Sequence, residues 1–142
     1  MKTSARNQLS GIVQSVRHSG FYSEIVLSLP GSLPLTAVMD RGSCDALALQ
    51  EGAAAIALVK SSHVLIATDL AHVRLSARNQ LPGLVSHIER GAVNSIVTVD
   101  IGSGMALTAA VTLQSSEQLD LHPGQRVTTV FPAECVILGV LV

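Results

Sequence analysis

An internal repeat constrains the fold of this chain more than any other feature. The six-residue sequence Ser-Ala-Arg-Asn-Gln-Leu occupies residues 4–9 and recurs without change at residues 76–81. The offset is 72 residues, about half of the 142-residue chain. Similarity at a fixed period is typical of a chain that contains copies of one structural unit. The sequence therefore predicts two tandem domains, residues 1–70 and 71–142.

Other matches keep the same offset. They are Gly11 with Gly83, Leu-Thr-Ala at residues 35–37 and 107–109, Gly52 with Gly124, and Val-Leu-Ile at residues 64–66 with Val-Ile-Leu at residues 136–138. Between Arg17 and Thr36 the alignment slips by one residue and then recovers. We therefore expect a one-residue loop insertion in this part of one repeat.

Each repeat has the sequence pattern of short strands. The strands of the first repeat are predicted over residues 11–16, 24–29, 35–39, 54–59 and 64–67. Residues 43–49 predict one or two turns of helix that Ser43 caps, and Ser115 holds the same place in the second repeat. Five short strands with one short helix per repeat predict an all-β protein of two tandem small Greek-key barrels of OB type. The alternative is an SH3-like barrel.

The composition suits a folded protein without a large charged or aromatic surface. Hydrophobic residues make up 48% of the chain, and the formal net charge is −1. Aromatic residues make up 2%, too few to stack a run of nucleic-acid bases. The longest apolar stretches are too short to span a bilayer, and the N-terminus becomes polar where a signal peptide would become apolar. We therefore expect a cytoplasmic protein with no nucleic-acid partner and no membrane partner.

The residue types that carry catalysis and metal binding occur without their usual motifs. The two cysteines, Cys44 and Cys135, lie far apart in the sequence and predict buried thiols. The five histidines form no HxH, HxxxH or HExxH pattern, so we expect no metal ion held by protein ligands. The sequence has no paired carboxylates, nucleophile elbow or glycine-rich phosphate loop. It therefore predicts a protein that is not an enzyme.

The polar residues of the repeated hexapeptide suggest a binding site. Many core positions differ between the repeats, whereas these Ser, Arg, Asn and Gln residues are unchanged. The guanidinium groups of Arg6 and Arg78 present a fork of donors that matches a tetrahedral oxyanion, and Ser and Asn add neutral donors. The alternative is structural: both arginines pair with carboxylates between subunits, and Asn7 and Asn79 cap turns.

Two further places offer hydrogen-bond donors. Ser43 and Ser115 lie at the expected helix starts, where free N–H groups suit an anion, although simple N-capping is the commoner role. Lys60, Ser61 and Ser62 form a tight connection between strands, where an ammonium group and hydroxyls can converge on a ligand. The alternative for Lys60 is a solvated loop residue.

The hexapeptides and the segment around Lys60 resemble the molybdate-binding Mop family, also called molbindins. Residues 4–9, followed by Gly11, match the family's opening signature. Val-Lys-Ser-Ser-His-Val at residues 59–64 is similar to its closing element. The resemblance covers both repeats and nearly the whole chain. The second repeat also resembles the paired Mop repeats of the molybdate-responsive transcription regulator.

The resemblance implies OB-type barrels that bind molybdate or tungstate between units for intracellular molybdenum storage or homeostasis. It implies a homotrimer of two-repeat chains, which contains six barrels. Molybdenum would enter only as the oxyanion, with no direct protein ligands. The implied oxyanion-binding residues are Ser4, Ala5, Arg6, Asn7, Ser43, Lys60, Ser61, Ser76, Ala77, Arg78, Asn79, Thr112 and Ser115.

Two positions depart from the family pattern. Asp40 takes the place of Thr112 in the first repeat, and Pro132 takes the place of Lys60 in the second. Neither repeat therefore has the full complementary set, because the first keeps Lys60 and the second keeps Thr112. A carboxylate at Asp40 would repel an anion unless it is protonated or turned away. We expect the site that uses Lys60 to be the stronger.

The resemblance leaves two functions open. One is a complete storage protein, and the other is an oxyanion-sensing module separated from a DNA-binding domain. Met1 lies three residues before Ser4, which favours the storage protein. In either case a pocket lined only by donors should accept molybdate and reject phosphate, because phosphate carries a proton near neutral pH that would lack an acceptor.

Overall fold

A computed structural model describes all 142 residues, which form ten strands and two short α-helices. The strands are β1 (Asn7–Ser19), β2 (Tyr22–Leu29), β3 (Leu33–Asp40), β4 (Ala54–Val59), β5 (Leu65–Ala67), β6 (Asn79–Arg90), β7 (Asn94–Gly102), β8 (Met105–Thr112), β9 (Arg126–Phe131) and β10 (Ile137–Gly139). The α-helices are α1 (Arg41–Ala46) and α2 (Leu113–Gln118), and single 3-10 turns occur at Pro30–Ser32, Ser61–His63 and Ala133–Cys135. No helix is both long enough and apolar enough to cross a membrane.

The chain divides into two compact units. Unit 1 contains Met1–Val59 and Pro132–Val142, and unit 2 contains Lys60–Phe131. Each unit has one five-stranded antiparallel sheet, in the order β10-β4-β1-β2-β3 for unit 1 and β5-β9-β6-β7-β8 for unit 2. The predicted all-β class, with one short helix in each of two similar units, is confirmed.

The core of each unit is built almost entirely from aliphatic side chains. In β2 alternate residues are buried, because successive side chains of a strand point to opposite faces of the sheet. Ile25 and Leu27 of unit 1 are fully buried, as are Val97 and Val99 at the same places in unit 2. Phe131 is the largest fully buried side chain of the protein. The low aromatic content is therefore compatible with two closed cores.

The last strand of each sheet comes from the other sequence repeat. β5 follows β4 in the chain but pairs with β9, with Leu65 opposite Val130. β10 follows β9 but pairs with β4, with Ile137 opposite Leu58. We call residues 60–67 and 132–139 the closing segments. Because they are exchanged, the compact units divide the chain differently from the sequence repeats, and the boundary near residue 70 stays a prediction about the repeats alone.

The strand registers of the two units agree except at one hairpin, where Leu29 pairs with Leu33 in unit 1 but Gly102 pairs with Met105 in unit 2, after an irregularity between Asp100 and Gly102. Ile12 lies opposite Ser28, and Leu84 lies opposite Asp100, which preserves the 72-residue offset. The irregularity of β1 between Val13 and Ser15 recurs in β6 between Val85 and His87. The one-residue insertion expected between Arg17 and Thr36 is therefore wrong. The residue types of β2 and β7 have diverged, so the sequence alignment suggested an insertion, although Tyr22 opposite Asp40 and Asn94 opposite Thr112 keep the same offset.

The two α-helices begin earlier than the sequence suggested. Asp40 and Thr112 are the N-caps, and their side chains accept hydrogen bonds from the backbone N–H of Ser43 at 3.0 Å and of Ser115 at 3.1 Å. Ser43 and Ser115 are therefore the third helical residues, and the prediction that Ser43 caps the helix is wrong. β3 and β8 run directly into the helices, so the capping residue is also the last residue of the strand.

Candidate functional site

The repeated hexapeptides begin the first strand of each unit. Asn7 opens β1 opposite Val59, and Asn79 opens β6 opposite Phe131. Each Asn is 2% exposed, and no buried polar side-chain atom of the protein lacks a hydrogen-bond partner. The two Asn side chains are therefore anchors inside the units. Both were expected to contact the anion, and their burial favours a positioning role.

The residues before these anchors face outward. Ser4 and Arg6 are exposed, as are Ser76 and Arg78, whereas Ala5 and Ala77 are half-buried. The backbone N–H of Ala5 donates to Thr3 Oγ1 at 2.9 Å. The structure thus presents a serine and an arginine from each segment to the outside of its unit.

The glutamine of each hexapeptide holds the segment in shape. Gln80 Nε2 donates to the carbonyl oxygens of Ala77 at 2.9 Å and Leu75 at 3.2 Å. Gln8 Nε2 donates to the carbonyl of Ala5 at 3.5 Å. Both glutamines were missing from the expected site residues. Their identity in the two repeats was the available signal, and it reflects support of the backbone beside the arginine.

The closing segment that contains Lys60 belongs to unit 2. Lys60 precedes the 3-10 turn Ser61–His63, and its carbonyl accepts the N–H of His63 at 2.9 Å. This turn packs against β8, the strand that ends at Thr112. Lys60 is exposed, whereas Ser61 is 8% exposed. Unit 2 therefore combines Lys60 with Thr112 and Ser115, and we call Lys60, Ser62, Thr112 and Ser115 the lysine face.

One hydroxyl group of the lysine face, that of Ser115, is available to donate a hydrogen bond to a ligand. Thr112 Oγ1 accepts the N–H of Ser115 at 3.1 Å and donates its own proton to Ser115 Oγ at 2.7 Å. Ser115 Oγ acts as an acceptor in that bond, so its own proton can be donated to a ligand. An ammonium group and a free hydroxyl donor are the groups that an oxyanion requires.

Unit 1 has a counterpart of this face with the opposite charge. Its 3-10 turn Ala133–Cys135 follows Pro132 and packs against β3, which ends at Asp40. Ser43 and Glu134 line one depression of about 470 Å³ beside the turn. We call Asp40, Ser43, Pro132 and Glu134 the acidic face.

The carboxylate of Asp40 is fixed by the serine of its own face. It accepts the Ser43 N–H at 3.0 Å and the Ser43 hydroxyl at 2.8 Å. The hydroxyl bond and then the backbone bond lower the pKa of Asp40 from its ordinary value of 3.8. The group is therefore ionised near neutral pH and is engaged in capping the helix.

The exchange of closing segments bears on the expected pairing of site residues. The sequence grouped Lys60 with Ser43 and left neither repeat with a full set. In the structure the turn that follows Lys60 packs against β8, which ends at Thr112, and the turn that follows Pro132 packs against β3, which ends at Asp40. The grouping by repeat stays a prediction, and the compact units divide these residues differently because residues adjacent in a repeat lie in different units.

Two copies of a five-stranded OB-like unit, each opened by the same hexapeptide, define a tandem-domain protein. A family profile described as the TOBE domain matches residues 3–66 and residues 75–138. The chain belongs to the TOBE domain family. Both matches run through a closing segment, so each profile match draws on both compact units.

The chain is similar to several proteins of molybdenum biology. It is 40% identical over 140 residues to the molybdenum transport protein ModE of Herbaspirillum seropedicae, and 37% identical over 139 residues to the molybdenum-pterin-binding protein MopB of Rhodobacter capsulatus. It covers 52% of each, so it spans about half the length of these curated relatives. A crystal structure of the cytoplasmic molybdate-binding protein ModG with molybdate bound matches 99% of this chain and 100% of its own, with a TM-score of 0.96 and 40% identity.

Proposed function

We propose that this chain binds molybdate on the lysine face of unit 2 and serves intracellular molybdenum storage or homeostasis. The observation that carries the proposal is the placement of Lys60 in the same unit as Thr112 and Ser115. The similarity to molybdate-bound ModG over the whole chain supports it independently. The proposed role is binding without catalysis, in the cytoplasm as for ModG.

The site is completed by a facing barrel of another copy. Arg6 and Arg78 are exposed at the start of their strands, where each guanidinium group can approach a neighbouring chain. An arginine fork and a lysine ammonium group together neutralise a dianion and donate to several of its oxygens. Binding at such an interface ties ligand affinity to assembly, and the homotrimer that the family resemblance implies would supply the facing barrels.

The chemistry of the lysine face favours a fully deprotonated anion. Lys60 and the free proton of Ser115 are donors, and no carboxylate belongs to the face as defined. Molybdate and tungstate only accept hydrogen bonds, whereas phosphate near neutral pH would leave one P–OH group without an acceptor. We therefore propose binding of both metal oxyanions and discrimination against phosphate.

A second candidate is an oxyanion-sensing module. The ModE relative is nearly twice as long as this chain, and the match covers 52% of it. The same lysine face would then report oxyanion binding to another part of a larger protein. A storage role and a sensing role share the site, and they differ in whether binding changes an interaction with a further partner.

The direct test is isothermal titration of the purified protein with molybdate and tungstate, beside sulfate and phosphate. Molecular mass by light scattering is measured in parallel. We expect heat with molybdate and tungstate, none with phosphate, and the mass of a trimer. A folded protein that gives no heat with either metal oxyanion would show that the proposed function is wrong.

A further inference from the structure

The equivalent serines Ser43 and Ser115 have opposite hydrogen-bond roles toward the residue that caps their helix. Ser115 Oγ accepts a hydrogen bond from the Thr112 hydroxyl, which leaves the Ser115 O–H available to donate outward. The Ser43 hydroxyl donates a hydrogen bond to Asp40 Oδ1 at 2.8 Å, and a carboxylate can only accept. The same residue type at the same place is thus an available donor in unit 2 and an occupied donor in unit 1.

The closing turns beside these serines also differ in charge. In unit 2 the turn brings Lys60 and Ser62, whereas in unit 1 it brings Pro132 and Glu134. Proline has neither a side-chain charge nor a backbone N–H to donate. Glu134 lines the same depression as Ser43 and is exposed, so its carboxylate replaces a serine hydroxyl at the corresponding position.

We propose that Asp40 and Glu134 exclude oxyanions from unit 1, so that each chain has a single face able to complete an oxyanion site. The inference rests on the proposed function and adds residues that set its specificity and stoichiometry. Each chain carries two copies of the hexapeptide but only one lysine face. Only half of the hexapeptides can therefore meet a cationic partner face.

The physical basis is repulsion by carboxylates. A dianion on the acidic face would meet the carboxylates of Asp40 and Glu134, and the neighbouring Arg41 lies 4.0 Å from the carboxylate of Asp45, which offsets its charge. Displacing the carboxylate of Asp40 to free the Ser43 hydroxyl would also remove the N-cap of α1, so the helix itself holds the exclusion in place.

A matched pair of serine variants tests the two faces in the full chain. Molybdate titration of Ser115→Ala should show affinity reduced on the order of tenfold, because a hydrogen bond to a charged ligand is lost. Ser43→Ala should give the isotherm of the unchanged protein. If Ser43→Ala weakens molybdate binding as much as Ser115→Ala does, the inference is wrong.

The reciprocal test converts the acidic face into a lysine face. The triple variant Asp40→Thr, Pro132→Lys, Glu134→Ser should bind about one more molybdate per chain than the unchanged protein. Pro132→Lys alone, which keeps both carboxylates, should bind no more. A folded triple variant with unchanged stoichiometry would contradict the exclusion, and if the triple variant does not fold, the serine pair decides. Absence of binding by the unchanged protein would instead refute the proposed function.

Discussion

Single neighbours decide what equivalent residues of the two units can do. Ser43 and Ser115 share sequence position, helix position and backbone hydrogen bonding, and they differ in the residue three places earlier. Asp40 accepts a hydrogen bond from the Ser43 hydroxyl, whereas Thr112 donates one to the Ser115 hydroxyl. The same contrast applies to Lys60 and Pro132, which occupy one position of the repeat with opposite consequences for an anion.

Removing the charge of Lys60 should weaken molybdate binding. Lys60→Met keeps the length and apolar character of the side chain and removes the ammonium group. We expect affinity to fall about tenfold or more, since hydrogen bonds to charged groups contribute about 1.5–3 kcal/mol. Titration calorimetry measures the change. The chain has one other lysine, and Lys2→Met is the matched control that should bind as before.

Gly83 is required by close packing of the backbone. A Cβ at this position would lie 2.3 Å from the carbonyl oxygen of Asp100 and 2.8 Å from Val99 Cγ1. Gly83→Ala should therefore destabilise the protein by about 1–3 kcal/mol, as overpacking does. Urea unfolding measures this. Gly139→Ala, where the added atom meets nothing within 4 Å, should change stability by no more than about 0.5 kcal/mol.

At the scale of elements, each helix depends on the residue that ends the preceding strand. β3 and β8 deliver Asp40 and Thr112 to the N-cap positions, and each side chain accepts the third N–H of its helix. These helices have six residues, too few to be stable alone, so capping and packing hold them. A change at either cap should therefore act on the helix and on its end of the strand together.

The cap of α1 should make stability depend on pH. The pKa of Asp40 in the folded protein is lowered below 3.8, so the carboxylate contributes stability above that value. This contribution is lost as the pH falls through the lowered pKa. Unfolding of the unchanged protein and of Asp40→Asn, measured between pH 7 and pH 3, should show the stability difference shrink toward acid pH.

Thr112→Asn provides the control for this titration. Threonine and asparagine both cap helices and neither is ionised, so the stability difference should stay constant over the same range. A pH-dependent difference for Thr112→Asn equal to that for Asp40→Asn would show that the effect does not arise from the Asp40 carboxylate.

At the scale of the whole molecule, the exchanged closing segments join the two repeats. β10 completes the sheet of unit 1 although it is the last strand of the chain, and β5 completes the sheet of unit 2. A sequence change in one closing segment therefore alters the unit formed mainly by the other repeat. Lys60 is the case in which this matters for binding.

Deleting residues 132–142 should uncover unit 1 rather than unit 2. β4 would lose the pairing with β10 that places Ile137 opposite Leu58. Hydrogen exchange followed by mass spectrometry should show faster exchange in β4 than in the unchanged protein, because its edge is exposed to water. Loss of protection confined to Lys60–Phe131 would contradict the exchanged arrangement.

The sequence by itself determined the tandem repeat, the all-β class and the family. Exact recurrence of the hexapeptide fixed the 72-residue period, and period-two alternation located the strands. The chemistry of their side chains singled out Lys60 and Ser115, and the family resemblance added Thr112. The strand pattern can be read from neighbouring residues, and the repeat can be read by comparing two segments of the sequence without knowing which residues are in contact.

Only the tertiary structure decided which of those residues lie together. Strand pairing depends on long-range contacts, which place each closing segment in the sheet of the other repeat. The tertiary structure likewise showed that Asp40 and Thr112 cap the helices and that neither repeat has an inserted residue relative to the other between the first strand and the helix. The candidate site depends on which strand each closing segment pairs with. The observed pairing places Lys60 in unit 2 and places Asp40 and Glu134 together in unit 1.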